Sequence, residues 1–451
     1  MNRDRAKGAA IVVLFAATCM LVTACGVKSD SLEAGSGAST TQTTAAGNGN
    51  APQITVATTP STTEPEPVST SDLEAVATNV QAFWTEELPK IYKDDYQPLP
   101  ADRIIAGTPD ATYPVCDGKP LKYSDVEGNA FAAPCSEGPT VVWDAADLIP
   151  GIDEKYGPVA AAIVLAHEWG HIAQFEAGVD ASTVILEQQA DCFAGAWLNH
   201  LIEDPGNLAQ LAKANALDSA VSSIIEFRDA PGSTPEDPGA HGTGFDRVRA
   251  LQEGYTKGDE YCARYPDTPP PLIRLDLASA SDEDPDATGN LSLADLTPLV
   301  VDDLNAFYDQ IITDFRGATA DAVLSDPDAK ATLEGLATRI GDGGAGVVLG
   351  MIWASFAQQQ VDGGEGRDAE GRLQQQACMS GGWLANVYND TGNQDRNLQL
   401  TAGDLDEAIL GLIDLGGNQG ANKDTNGEVF QLVASLRQGV VEGFGSCKLG
   451  E

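Results

Sequence analysis

The sequence predicts a mainly α-helical chain with a small β element, organised as two tandem copies of one unit. Three observations carry that prediction. Apolar residues recur at i, i+3 and i+4 through 72–93, 158–177, 183–203, 207–227 and 243–257, with Pro and Gly as punctuation. One short stretch, "PTVVWDA" (139–145), has the β-branched and aromatic character of a strand. The chain also repeats itself: "LEQQADCFAGAWLNHLIED" (186–204) returns as "RLQQQACMSGGWLANVYND" (372–390), and "FDRVRALQEGYTKGDEYC" (245–262) as "FQLVASLRQGVVEGFGSC" (430–447). A weaker echo links "VQAFWTEELPKIY" (80–92) to "LNAFYDQIITDF" (304–315).

Taken from the N-terminus, residues 1–24 read as a cleaved export signal. Arg3, Arg5 and Lys7 make a basic start, residues 9–24 form an apolar run, and Val22, Thr23, Ala24 and Cys25 resemble a bacterial lipoprotein cleavage site. Cys25 is then the lipid-bearing residue, and its two or more acyl chains would anchor the chain durably where one would not. Residues 25–71 are Ser, Thr, Gly, Ala, Asn and Pro with almost nothing to bury, a disordered tether with an r.m.s. reach of about 35–40 Å. These features place the chain on the outer face of a bacterial cell membrane, touching it only through the lipid.

The ordered matches set the first unit at 72–270 and the second at 292–451, joined by an acidic, Pro-rich linker at 271–291. Trp84 to His167 spans 83 residues where Tyr308 to Met351 spans 43, so about 40 residues are extra in the first unit. The strand-like stretch lies among them. Duplication also orders the cysteines. Cys19 leaves with the signal and Cys25 carries lipid, which leaves six. Cys192 and Cys262 match Cys378 and Cys447 in position, while Cys116 and Cys135 both fall in the extra segment. In an oxidising exterior the expected disulfides are Cys116–Cys135, Cys192–Cys262 and Cys378–Cys447.

Charge excludes one class of partner. With 26 Lys+Arg against 67 Asp+Glu, the formal net charge is −41, which repels nucleic acid and anionic lipid. No glycine-rich phosphate loop and no basic patch appears.

The chemistry concentrates in "IVLAHEWGHIAQF" (163–175), which holds two of the four histidines. On a helix, His167 and His171 share a face and can both point at one metal ion. Glu168 lies beside that face, where a carboxylate can act as general base on a water. A catalytic zinc needs a third protein ligand and one open position. Glu187 on the next helix is the candidate, and Asp191, one turn further along, is suited to hold a ligand histidine's other nitrogen. His241, in "AHGTGF", is a candidate donor to a developing oxyanion, or has no role; His200 is surface or core.

At this point "AHEWGHIAQ", "LEQQADCFAGAW" and "HGTGFDRVRALQEGYTKGDEYC" resemble the three signature blocks of the bacterial neutral zinc metallopeptidases, a gluzincin-type family, over residues ~75–265. The resemblance implies a zincin-like domain, Zn2+ on His167, His171 and Glu187, and Glu168 as general base for hydrolysis of protein or peptide substrates. It also implies that "VVWD" corresponds to the strand beside the active-site cleft. Two features depart from the pattern: Ile172 stands where the family often has another histidine, and the second unit has no counterpart there.

In the second unit Met351 stands for His167, Ile352 for Glu168, Ser355 for His171 and Asn426 for His241, and neither Glu187 nor Asp191 has an acidic counterpart. The framework persists in Trp383, Phe430 and the cysteine pair. The second unit is therefore expected to be a folded, non-catalytic repeat. The rival to an exported, lipid-anchored zinc peptidase is a surface lipoprotein that only binds, with a vestigial or structural metal site. Both histidines, the base and the Glu/Asp pair all survive in the first unit, which favours the enzyme.

Overall fold

The computed structural model describes residues 70–273 and 290–450, apart from 214, 238, 364–366, 391–392, 394, 402 and 417–427. The export signal, Cys25, the tether up to 69, most of the 271–291 linker and Asn426 lie outside the described residues. The first half runs α1 (Thr70–Ile91), β1 (Ile104–Gly107), β2 (Val115–Cys116), β3 (Lys119–Pro120), β4 (Ala130–Ala133), β5 (Thr140–Asp144), α2 (Leu148–Tyr156), α3 (Pro158–Ala177), α4 (Thr183–Glu203), α5 (Ala216–Ile224), α6 (Gly244–Lys257) and α7 (Asp259–Cys262). The second half is helical among its described residues: α8 (Leu293–Asp309), α9 (Ala320–Ser325), α10 (Pro327–Arg339), α11 (Asp342–Val361), α12 (Ala369–Asn389), α13 (Asp404–Leu415) and α14 (Glu428–Glu442).

The prediction of a mainly helical chain with a small sheet holds, and α3 and α4 start and stop where periodicity placed them. Pro158 suits the first position of α3, where its missing N–H costs nothing, and Gly178 ends that helix in the left-handed conformation at φ 63°. One segment differs. Residues 207–227 are not one helix but a 3-10 turn at Gly206–Leu208, a loop, α5, and a second 3-10 turn at Ile225–Phe227. Pro205 and Gly206 before the turn, with polar residues between it and α5, break the apolar period.

The sheet lies in the extra segment of the first half. Its order is β1-β5-β4, with β5 parallel to β1 and antiparallel to β4, so β4 is an edge. Every residue of β5 is buried. A strand covered on both faces reads as a continuous apolar run, which is why "TVVWD" was visible, whereas the half-buried β1 and β4 were not. Helix α3 is the central element, packed by α4, α5, α1, α2 and β4, and is buried from Val159 through Gly170.

Helices α4 and α6 pack backbone to backbone at Gly195 and Gly254. A Cβ on Gly195 would sit 2.0 Å from the Leu251 carbonyl oxygen, and one on Gly254 would sit 1.7 Å from that of Cys192. In the second half, α12 and α14 meet the same way: a Cβ on Gly381 would lie 2.0 Å from Leu436 O, and one on Gly439 would lie 1.9 Å from Cys378 O. Side-chain bonds run in parallel as well. Gln189 Nε2 donates to Cys262 O and Gln375 Nε2 to Cys447 O, at 3.0 and 2.9 Å. Gln174 Nε2 donates to Leu186 O and to Gln189 Oε1, as Gln358 Nε2 does to Arg372 O and Gln375 Oε1. All three expected disulfides are present: Cys116–Cys135, Cys192–Cys262 and Cys378–Cys447.

The two halves share one hydrophobic core and meet where α5 and α6 pack on α13 and α14. No helix of the described residues is long and apolar enough to cross a membrane.

Candidate metal centre and active-site cleft

Helices α3 and α4 approach closely at Gly170, where a Cβ would stand 2.9 Å from the Cα of Ala190. The glycine inside "HEWGH" therefore lets the two helices come together beside the histidines. Across that approach α3 presents His167 and His171, and α4 presents Glu187 and Asp191. His167 Nε2 and His171 Nε2 are 3.2 Å apart, and they lie 3.2 and 3.4 Å from Glu187 Oε2 and Oε1 respectively. One ligand atom from each of His167, His171 and Glu187 falls within 4.8 Å of the others. Asp191 is not in that group; it lies behind it.

The tautomers follow from the outer partners. Asp191 Oδ1 accepts from His167 Nδ1 at 2.7 Å. Gln174 turns its carbonyl oxygen to His171 Nδ1 at 2.9 Å, because its amide nitrogen is already committed to Leu186 O and Gln189 Oε1. Both Nδ1 atoms thus carry the proton, and both Nε2 lone pairs converge with the Glu187 carboxylate. Two lone pairs and an anion facing one another at this distance favour a cation between them. Two imidazoles and a carboxylate with one position left open are a donor set that suits zinc.

Without a cation the same carboxylates favour protons on the imidazoles, protons that a bound metal would displace. Burial alone would depress the His167 imidazole, but the Asp191 charge and hydrogen bond, joined by Glu187, push it up to about 10. His171 is likewise raised, chiefly by Glu187 acting against burial. Burial opposes ionisation of Glu187, yet the two imidazoles hold it well below the ordinary carboxylate range. Asp191 is fully buried and is kept low, against that burial, by Arg247 and His167. Arg247, from the first turns of α6, grips it with two hydrogen bonds of 2.8 Å, from Nε and Nη2.

Glu168 points into the cleft beside the metal-facing group. Burial raises its carboxyl, the two histidines lower it, Glu187 raises it, and the Ala132 N–H of edge strand β4 lowers it; the balance is upward. A carboxylate raised above its ordinary range is a better proton acceptor than a free one. The cleft is lined by Asn129 and Ala130 at the start of β4, Val164, His167 and Glu168 of α3, Ile224, Phe227, His241 and Arg247. His241 sits on the rim, its side chain half exposed, with its N–H and that of Gly242 donated to the Asp229 carboxylate. His200 is elsewhere, packed on Phe83 at the end of α4.

Residues 153–264 match the family described as "Putative neutral zinc metallopeptidase". Over that segment the chain is similar to this family. The match supports Zn2+ as cofactor and a peptidase-like role. The matched segment contains every residue of the metal-facing group and stops before the second half. No curated protein and no solved structure matches the chain.

His167, Glu168, His171, Glu187 and Asp191, grouped from the sequence, come together here, and His241, left open there between an oxyanion donor and no role, lines the same cleft. Sequence reasoning missed Gln174 and Arg247. The first stands one turn after His171, a spacing that could have exposed it. The second reaches the site only through the packing of α6 on α4. A further carboxylate group, Asp342, Asp404 and Glu407, gathers at the N-terminal ends of α11 and α13.

Proposed function

We propose that the chain is an exported, lipid-anchored zinc peptidase whose metal is held by His167, His171 and Glu187. One observation carries the reading: three ligand atoms converge from two helices, with both histidines oriented by hydrogen-bond acceptors behind them. When bound, zinc supplies a Lewis acid that polarises a substrate carbonyl and makes water a stronger acid. The chain's own residues do the rest. Asp191 and Gln174 hold the imidazoles so that both Nε2 atoms face inward, and Arg247 keeps Asp191 ionised. Glu168 takes a proton from the attacking water and passes it to the leaving amine. His241, on the rim, donates to the oxyanion that develops as the water attacks the carbonyl.

Cys25 anchors the chain by its acyl groups on the outer face of a bacterial cell membrane, and 25–71 tethers the folded part away from it. Residues 292–451 are a degenerate, non-catalytic copy of 72–270. The parallel glycine contacts, glutamine bonds and disulfides of the two halves support this. So do the replacements, in which Met351, Ile352 and Ser355 occupy the places of His167, Glu168 and His171; Ser355 simply donates to Ile352 O of its own helix at 2.7 Å.

Glu168→Gln tests the reading. It should retain zinc at the wild-type stoichiometry and lose turnover of an unstructured protein substrate by at least ~100-fold, the range of a lost general base. An active, zinc-loaded Glu168→Gln chain would refute the assignment.

A further inference from the structure

The start of α6 is completed by a residue from the other half of the chain. The first N–H groups of a helix have no partner within it. In α6, Asp246 N donates to the Thr243 hydroxyl at 3.1 Å, a local N-cap. The two preceding donors, Gly244 N and Phe245 N, go instead to Asp406 of α13, at 2.9 Å to Oδ2 and 2.8 Å to Oδ1. Asp406 is buried, and Gly244 leaves room for it: a Cβ there would stand 3.1 Å from the Asp406 Cγ. An anion at a helix N-terminus is favoured by the backbone dipoles as well as by the hydrogen bonds.

Two residues beyond Phe245 comes Arg247, the residue that grips Asp191, which in turn holds His167. Asp406 also lies 3.7 Å from Arg228 Nε, and Pro231 packs on Gly403, so the second half touches the loop that carries His241 as well.

The contact has a mirror counterpart. Asp218 of α5 accepts from Phe430 N, in the first turn of α14, at 2.7 Å. In the sequence, "LDSA" around Asp218 matches "LDEA" around Asp406, and Phe245 matches Phe430. Gln252 of α6 and Arg437 of α14, at matching positions, are hydrogen-bonded to each other. The two halves therefore exchange helix caps about a local two-fold relation. Behind the two caps, the halves differ. Behind Phe245 stand Arg247, Asp191 and His167; at the matching places behind Phe430 stand Leu432, Ala377 and Met351.

We infer that Asp406 is a positioning residue for the metal centre, and that the second half serves the first by fixing α6, and through Arg247 and Asp191 the orientation of His167. The inference rests on His167, His171 and Glu187 being metal ligands. Asp218 provides a matched control, an equivalent buried cap with no relay behind it.

The experiment compares Asp406→Ala, Asp406→Asn and Asp218→Ala in the whole chain, with zinc affinity read by chelator competition and cap loss read by amide exchange. Asp406→Ala should unprotect the amides of Gly244 and Phe245 and weaken zinc binding about tenfold or more, the usual cost of losing outer support at a metal site. Asp406→Asn, which keeps one acceptor oxygen, should recover part of that affinity and remains interpretable if the alanine chain fails to fold. Asp218→Ala should unprotect Phe430 and leave zinc affinity within about twofold of wild type. Zinc held equally well by all four chains overturns the inference alone, as does an equal loss in Asp406→Ala and Asp218→Ala. A wild-type chain that binds no zinc overturns the metal reading beneath it.

Discussion

Asp191 has no exposure, with the Arg247 guanidinium on one side and the His167 Nδ1–H on the other, so its buried negative charge is compensated chiefly by Arg247. Asp191→Asn keeps an oxygen that can face His167 Nδ1 but removes the charge that Arg247 needs, leaving a guanidinium buried without a counter-ion. The predicted outcome is a zinc dissociation constant raised ~10–100-fold with the helices intact, measured by chelator competition beside far-UV circular dichroism. Unchanged affinity would remove Asp191 from the account. At this scale the sequence was informative because a helix fixes who shares a face: His167 with His171, and Glu187 with Asp191, are each four apart. Arg247 was hidden because its meaning comes from a tertiary approach. Asp406 was hidden more deeply, since it meets α6 across the interface between the halves.

At the level of elements, α3 and α4 were legible to the residue, since long buried helices with Pro158 and Gly178 as punctuation carry strong signals. The two outer strands of the sheet were not, because four half-buried residues give no period to detect. The N-termini of α11 and α13 hold a cost that periodicity does not reveal. Asp404 and Glu407 are each pushed up to about 7, first by burial and then by a neighbouring carboxylate, Asp342 for the former and Asp404 for the latter. Unfolded, such groups titrate near 4. Between roughly pH 4 and pH 7 the folded state holds more protons, so this cluster loses stability as pH rises through that window. An Asp404→Asn, Glu407→Gln chain should melt at a higher temperature than wild type at pH 7.5, both in metal-free buffer, and show no such advantage at pH 4.5. Equal melting differences at the two pH values would mean that the cluster is not strained by charge.

For the whole molecule, the shared core and the exchanged caps join the two halves, and on the proposed reading one carries the chemistry and the other supports it. The disulfides and the sheet's place in the extra segment were foreshadowed by comparing the chain with itself. The support that one half gives the other was not, because internal likeness reports common construction and says nothing of how the copies meet. The proposed chemistry depends on a metal at the junction of α3 and α4. The most direct measurement is elemental analysis of the folded chain at neutral pH, with a His167→Ala, His171→Ala chain of verified fold beside it. The wild-type chain should hold about one zinc, the complement of a single three-ligand site, and the double variant almost none. Wild type without stoichiometric zinc, or a double variant that keeps it, would contradict the account.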